Sequence, residues 1–192
     1  LHPVAHSFPT RRSSDLATLP PEIPYRDTFV LFKPKDIVSG DFYWLDIVNG
    51  IEFLAAVDCT GHGVPGALMS VIGSNMLNKI VREQGIYKPS EILQNLNREV
   101  IYTLKAQEDG KAIYDGMDLA LIAFHPKTRI LEYSGGYNPL VLIKNGELQE
   151  VKANRFAIGR SAEVTEDKKF THHEISMDKG DSMYIFSDGF AD

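Results

Sequence analysis

The sequence contains one cysteine, no long apolar run and no excess of positive charge, and each absence excludes a class of protein. A single cysteine, Cys59, excludes an intrachain disulfide framework and fits a reducing compartment. No apolar run approaches the roughly 20 residues that a membrane helix needs. With 20 basic and 26 acidic residues the formal net charge is -6, which argues against nucleic acid as the main partner. We therefore expect a cytoplasmic domain, with any membrane anchor of the parent protein in a missing N-terminal region.

The first residues do not have the character of a natural domain. Residues 7–16 back-translate as TCT TTC CCT ACA CGA CGC TCT TCC GAT CT, which resembles a common DNA-sequencing adapter. The alternative is a natural Ser/Arg-rich linker, but a match over the whole segment in one frame favours the adapter. We therefore predict that residues 1–16 are non-native and exclude them from the fold. Residues 17–26 form a proline-rich linker, and residues 27–192 are long enough for one domain with a sizeable core.

Short apolar, β-prone runs dominate the domain. Its two Asn-Gly pairs, Asn49-Gly50 and Asn145-Gly146, join such runs and are typical of tight hairpins, because both turn residues tolerate positive φ. The predicted strands are Thr28–Phe32, Phe42–Val48, Ile51–Val57, Met117–Phe124, Ile130–Ser134, Leu140–Lys144, Glu147–Val151, Phe170–Glu174 and Ser182–Phe186. The periodicity predicts these strands but not their order in a sheet.

Two segments have helical periodicity instead. The first follows the Gly-rich stretch 61–66, and the second begins at Pro89-Ser90. The predicted apolar face of the first contains Leu68, Val71, Ile72, Met76, Leu77, Ile80 and Val81, and that of the second contains Leu93, Leu96, Val100 and Leu104. Two long helices in a strand-rich chain suggest sheets packed on each other and flanked by helices.

Aspartates next to a glycine, or within three residues of one, recur at the ends of the predicted strands. They are Asp41, Asp58, Asp115, Asp118 and Asp188. A single Asp-Gly pair is usually only a turn, but several around one core are more informative. Mg²⁺ and Mn²⁺ prefer carboxylate, carbonyl and water oxygens, and a glycine lets a backbone carbonyl approach an ion closely. The pattern therefore indicates a candidate site for a hard divalent cation.

Five motifs resemble, in order and spacing, those of a known family. They are Lys33–Trp44 with its Ser39-Gly40-Asp41-Phe42 core, Asp58–Ser70, Asp115–Asp118, Tyr133–Leu140 and Ser187–Asp192. Together they are similar to the SpoIIE- and RsbU-like branch of the PPM metal-dependent serine/threonine protein phosphatases. The resemblance covers about residues 27–192, and only the combination of motifs is specific.

The resemblance implies an α+β fold, a four-layer α-β-β-α sandwich, with two Mn²⁺ or Mg²⁺ ions at one end of its sheets. By matching position it implies three catalytic, metal-binding aspartates, Asp41, Asp58 and Asp188, together with the backbone carbonyl of Cys59. Asp115 or Asp118 would serve an additional ion, and the choice between them stays open. The family's final aspartate ligand falls beyond Asp192, so we expect the domain to be truncated, with its last helix and strand missing.

The resemblance also implies a reaction and its partners. Water activated by the two ions attacks the phosphorus of phosphoserine or phosphothreonine in a protein. The expected substrate is a STAS-domain anti-sigma-factor antagonist in bacterial signalling, and the expected neighbour in the parent protein is an N-terminal sensor. The alternative is a catalytically inactive PPM-like regulatory or binding domain. Intact Asp41, Asp58 and Asp188 favour the enzyme.

Other residues allow competing interpretations. Cysteine phosphatases carry a Cys-x₅-Arg motif, but the position six after Cys59 is Pro65, so we reject a nucleophilic Cys59. His62 could act as a general acid or contact the substrate, although a polar residue at the helix entrance is the favoured interpretation. We interpret His172-His173 as an exposed strand pair rather than a metal site.

Overall fold

The computed structural model describes residues 28–33, 39–61, 63–105, 115–160 and 169–188. In chain order its elements are β1 (Phe42–Val48), β2 (Ile51–Cys59), α1 (Gly63–Asn78), a π-helical turn (Lys79–Glu83), α2 (Pro89–Lys105), β3 (Met117–His125), β4 (Ile130–Gly136), β5 (Leu140–Lys144), β6 (Glu147–Val151), β7 (His173–Ser176) and β8 (Ser182–Tyr184). Within these residues we find no helix with the length and apolar character of a membrane span.

The strands form two antiparallel sheets. The larger has the order β1-β2-β3-β4-β7 and the smaller the order β6-β5-β8. The predicted hairpin turns are confirmed, since Asn49 and Gly50 have φ of 55° and 77°, and Asn145 and Gly146 have φ of 52° and 80°.

Two predicted strands were wrong in whole or in part. Thr28–Phe32 forms no strand, although the ring of Phe32 contacts the edge of the Tyr43 ring. The strand predicted at Phe170–Glu174 begins three residues later, as β7. Phe170 is instead a buried core residue that packs on Phe156 at a ring-centroid distance of 4.7 Å. It therefore contributes to the core and lies before the first residue of β7.

Two apolar clusters define the layers. One lies between both helices and the larger sheet, where Leu77, Leu93 and Leu96 are fully buried beside strand residues such as Phe53 and Leu121. The other lies between the two sheets and contains Ala120, Ile122, Leu131, Tyr133, Leu140, Leu142 and Met177. The described residues thus form three layers of the expected sandwich: helices, larger sheet and smaller sheet.

The predicted apolar face of the first helical segment was right for Leu77, Ile80 and Val81, which are fully buried, and wrong for Leu68 and Val71. The helix buries Gly66, Met69, Ser70, Gly73, Ser74 and Leu77, whereas Leu68 and Val71 are exposed. A Cβ on Gly73 would lie 3.1 Å from both the Met117 Cε and the Phe42 Cζ atoms. Small residues let α1 approach the sheet closely, and a pattern based on apolar size misses such a face. For α2, burial of Leu93, Leu96 and Val100 confirms the prediction.

The end of the first helical segment is tied to β1 by a paired charge. Asp46 is buried, and its carboxylate accepts hydrogen bonds from Arg82 Nε at 2.6 Å and Nη2 at 2.8 Å. Arg82→Met keeps much of the side-chain stem but leaves this carboxylate without its guanidinium. We expect the free energy of unfolding to fall by about 1–3 kcal/mol in urea titrations.

The matched control is Lys79→Met. Lys79 pairs with Glu99 at 3.0 Å, but both side chains are substantially exposed. Exposed pairs contribute at most about 1 kcal/mol. Equal losses in the two variants would show that the buried Asp46 does not depend on its partner.

Candidate metal centre

Strand pairing brings the predicted aspartates to one end of the larger sheet. Asp41 directly precedes β1, whose first residue, Phe42, pairs with Val57. Asp58 therefore lies one step beyond that pair, and it stands directly opposite Asp118 of β3. Asp188 follows β8 and reaches the same end, where its side chain shares a hydrogen bond with that of Asp58.

These carboxylates act strongly on one another. The pKa of Asp58 is raised to about 8, mainly by burial. The negative charges of Asp41, Asp188 and Asp118 and the hydrogen bond to Asp188 raise it further. Without a cation this site therefore retains a proton at neutral pH. Four converging carboxylates are a hard, anionic donor set, and Mg²⁺ or Mn²⁺ is the class of ion that this set fits.

The backbone carbonyls of Cys59 and Gly61 lie close to Gly40, the residue before Asp41. A Cβ on Gly40 would lie 2.9 Å from the Gly61 carbonyl oxygen and 3.1 Å from that of Cys59. A Cβ on Gly66 would collide with the same Gly61 carbonyl. The Cys59 carbonyl thus lies beside the residue that precedes Asp41, where a side chain larger than that of glycine would be crowded.

The segment around Asp41 is held by two serine side chains. The Asp41 N–H donates to Ser39 Oγ at 3.1 Å, and Ser187 Oγ donates to Asp41 Oδ2 at 3.0 Å. The second bond connects the start of β1 to the segment that carries Asp188. It fixes two predicted metal ligands relative to each other across the two sheets.

The Cys59 thiol has the wrong environment for a nucleophile. The residue is buried, and burial together with the charges of Asp41, Asp58 and Asp118 raises the pKa of its thiol far above the usual range. The thiol therefore stays protonated at neutral pH, whereas a cysteine nucleophile must be a thiolate. This agrees with the interpretation that Cys59 contributes only its carbonyl.

The structure separates the two aspartates that the sequence left undecided. Asp118 is half-buried, pairs with Asp58 across the ladder and contributes to its raised pKa. Asp115 is exposed, and its backbone carbonyl lies near Gly159. Asp118 is therefore the better placed of the two. His62 lies outside the described residues.

The sequence did not predict the hydrogen bonds that connect Thr60, directly after β2, to Gly116 and Arg160. The Thr60 N–H donates to the Gly116 carbonyl at 2.8 Å, and the Gly116 N–H donates to Thr60 Oγ1 at 3.2 Å. Arg160 Nη2 donates to the same hydroxyl at 3.3 Å. Thr60 and Arg160 are one hundred residues apart in sequence, so no local pattern connects them.

Comparison with known proteins now gives the site a context. A model of the family described as "Stage II sporulation protein E (SpoIIE)" matches residues 52–192. This range begins after Asp41 and includes Asp58, Asp118 and Asp188. The phosphoserine phosphatase RsbU of Bacillus subtilis (strain 168) is 28% identical over 177 residues, which are 91% of this chain and 49% of that protein.

Solved structures agree with this match. The SiaA-PP2C domain of Pseudomonas aeruginosa aligns with a TM-score of 0.72 and 31% identity, over 84% of this chain and 61% of that one. The PP2C phosphatase domain of SpoIIE from Bacillus subtilis shares the fold, with a TM-score of 0.61 and 22% identity over 79% of this chain and 42% of that one. The chain thus spans about half the length of RsbU.

The family match covers most of the chain, and its fold agrees with PP2C domains. This protein belongs to the SpoIIE family, in the SpoIIE/RsbU-like branch of the PPM phosphatase domains.

Proposed function

We propose that the domain is a protein phosphatase that hydrolyses phosphoserine or phosphothreonine with two Mn²⁺ or Mg²⁺ ions. One observation carries the proposal: four carboxylates and the Cys59 carbonyl converge at one end of the sheet, with the pKa of Asp58 raised to about 8. A cluster of this charge costs free energy unless cations neutralise it. Phosphate esters also need positive charge at the site of attack.

Each aspartate has a role in this proposal. Asp41, Asp58 and Asp188 would hold the ions with the Cys59 carbonyl, and Asp118 would serve an additional ion. Asp58 interacts with the other three carboxylates, so it is our candidate for contacting both catalytic ions. When bound, the ions lower the pKa of a water and stabilise the charge that develops on phosphate oxygens. Ser187 would keep Asp41 in place through the bond to its Oδ2 atom.

The substrate and partners are inferred from resemblance. RsbU is named a phosphoserine phosphatase, and the motifs of this chain follow the same branch. We propose a STAS-domain anti-sigma-factor antagonist as substrate and an N-terminal sensor in the parent protein.

A catalytically inactive binding domain is the competing hypothesis. Retention of the carboxylate cluster favours the enzyme, because a scaffold gains nothing from crowded charge.

The proposed function predicts that activity depends on a divalent metal ion. Mn²⁺ or Mg²⁺ should support release of phosphate from a phosphoserine peptide. Excess EDTA should abolish the release, because the carboxylates alone offer no electrophile. Turnover that persists unchanged in EDTA would exclude this mechanism, and no turnover with any divalent ion would support the inactive binding domain.

A further prediction separates two neighbouring residues. Asp58→Asn preserves size but removes a charged ligand, so activity should fall by at least about 10³-fold, by analogy with the loss of a central catalytic group. Cys59→Ser keeps the backbone carbonyl and should retain most activity. The assay is phosphate release at saturating Mn²⁺, with circular dichroism as the check on folding. An active Asp58→Asn protein beside an inactive Cys59→Ser protein would reverse the roles.

Another prediction concerns stability without metal. The pKa of Asp58 is raised from 3.8 to about 8, so its protonated form is the one that folding favours. This group destabilises the fold as pH rises from about 4 towards 8. In EDTA at pH 7, Asp58→Asn should therefore have a higher free energy of unfolding than the wild type, and the difference should shrink towards pH 4. Urea titrations at both pH values measure it, and a less stable variant at pH 7 would contradict it.

A further inference from the structure

A second group of carboxylates lies elsewhere on the larger sheet. Glu132 of β4 and Glu174 of β7 are direct partners in the antiparallel ladder. Side chains that face each other in this way lie close together, and two like charges at such positions destabilise the pair. Glu132 is only one-fifth exposed, so solvent screens its charge incompletely.

Two histidines accompany these glutamates. One donor atom from each of Glu132, His172 and Glu174 can be chosen so that all three lie within 4.8 Å of one another. His125, at the end of β3, places its Nε2 atom 3.7 Å from Glu132 Oε1. The ladder explains the grouping, because Ala123 pairs with Glu132 and alternation puts His125 on the same face.

The imidazoles provide an independent observation. His172 Nδ1 and His125 Nε2 are both inaccessible to solvent, and neither has a hydrogen-bond partner within the part of the chain that the structure describes. Buried polar atoms of side chains are normally paired, and an exception requires an explanation such as an ion. Both nitrogens belong to side chains that lie against the Glu132–Glu174 pair.

We propose that this cluster is a binding site for a divalent transition metal, with Zn²⁺ as its occupant. Glu132, His172 and Glu174 would be the ligands, and water would complete the tetrahedron. His125 would hold the Glu132 carboxylate from outside the coordination shell, as hydrogen-bonding partners of metal ligands commonly do. Imidazole with carboxylate is a donor set that suits zinc, copper and nickel, unlike the all-oxygen set at the catalytic end.

The geometry requires a modest closure. Ligand atoms around tetrahedral Zn²⁺ are about 3–3.5 Å apart, so donors that lie within 4.8 Å of one another must approach by at most about 1.5 Å. Glu174 is exposed and free to move by this amount without disturbing the core. The ion would neutralise the opposed glutamates and link β7 to β4. The interpretation of His172-His173 as an exposed strand pair is therefore replaced for His172 alone, since His173 contacts the Tyr133 ring on the other face.

The site is separate from the candidate metal centre. Ala123, the partner of Glu132, lies five positions after Asp118 in β3, which corresponds to about 17 Å along the strand. The proposal does not depend on the phosphatase activity. A failed activity assay would leave it intact.

The test is a Zn²⁺ titration of the 192-residue chain in a large excess of Mg²⁺, which occupies oxygen-only sites. Calorimetry gives the affinity, and ¹H–¹⁵N spectra of the imidazole rings identify the histidine that binds. We expect saturable binding with a shift of the His172 ring nitrogens and none for His173. Glu132→Gln, Glu174→Gln and His172→Gln should each weaken this binding by at least about tenfold.

The matched control is His173→Gln, which removes the adjacent imidazole from the opposite face and should leave the affinity unchanged. Zn²⁺ should also raise the Tm of the wild type and of His173→Gln, but not that of Glu174→Gln. An unshifted His172 ring at saturating Zn²⁺ would overturn the proposal, even if a variant failed to fold. Equal affinity in the wild type and Glu174→Gln would do the same.

Discussion

Repulsion among carboxylates at one end of the larger sheet is the constraint around which the domain is organised. Asp58 and Asp118 face each other across a ladder, and Asp41 and Asp188 approach from two other segments. A fold that places these charges together loses stability unless protons or cations neutralise them. The apolar clusters on both faces of the sheet must therefore supply the stability that the site removes.

Register is what makes the convergence possible. Phe42 pairs with Val57 and Asp58 with Asp118, so three neighbouring strands present aspartates at the same level. A slip of one residue would turn each side chain to the other face of the sheet. The alternation of buried Phe53, Ala55 and Val57 along β2 opposes such a slip, because these residues belong beneath the helices. The register of β2 thus determines both the packing of the core and the position of Asp58.

Local chemistry made much of this predictable. Asn-Gly pairs predicted both hairpins, and aspartates near glycine at strand ends predicted which carboxylates converge at one end of the sheet. The apolar pattern predicted burial of Leu77 in α1 but missed Gly73 and Ser74, because these residues pack closely through their small size. Phe170 was assigned to a strand because aromatic residues favour strands, but it serves the core instead. Contacts such as Arg160 with Thr60 depend on the tertiary fold and leave no signal in spacing.

Two donor sets now distinguish two regions of the same sheet. Oxygen ligands crowd one end, whereas imidazole and carboxylate groups meet further along, near β7. Because ligand chemistry selects the metal, one domain can hold different ions at the two places without competition.

The most direct measurement of the central claim is anomalous scattering at the manganese edge from crystals grown with Mn²⁺. We predict two peaks beside Asp58, one within bonding distance of Asp41 or Asp188 and both within reach of the Asp58 carboxylate. A map with no peak at this end of the sheet, at Mn²⁺ concentrations that support hydrolysis, would contradict the assignment.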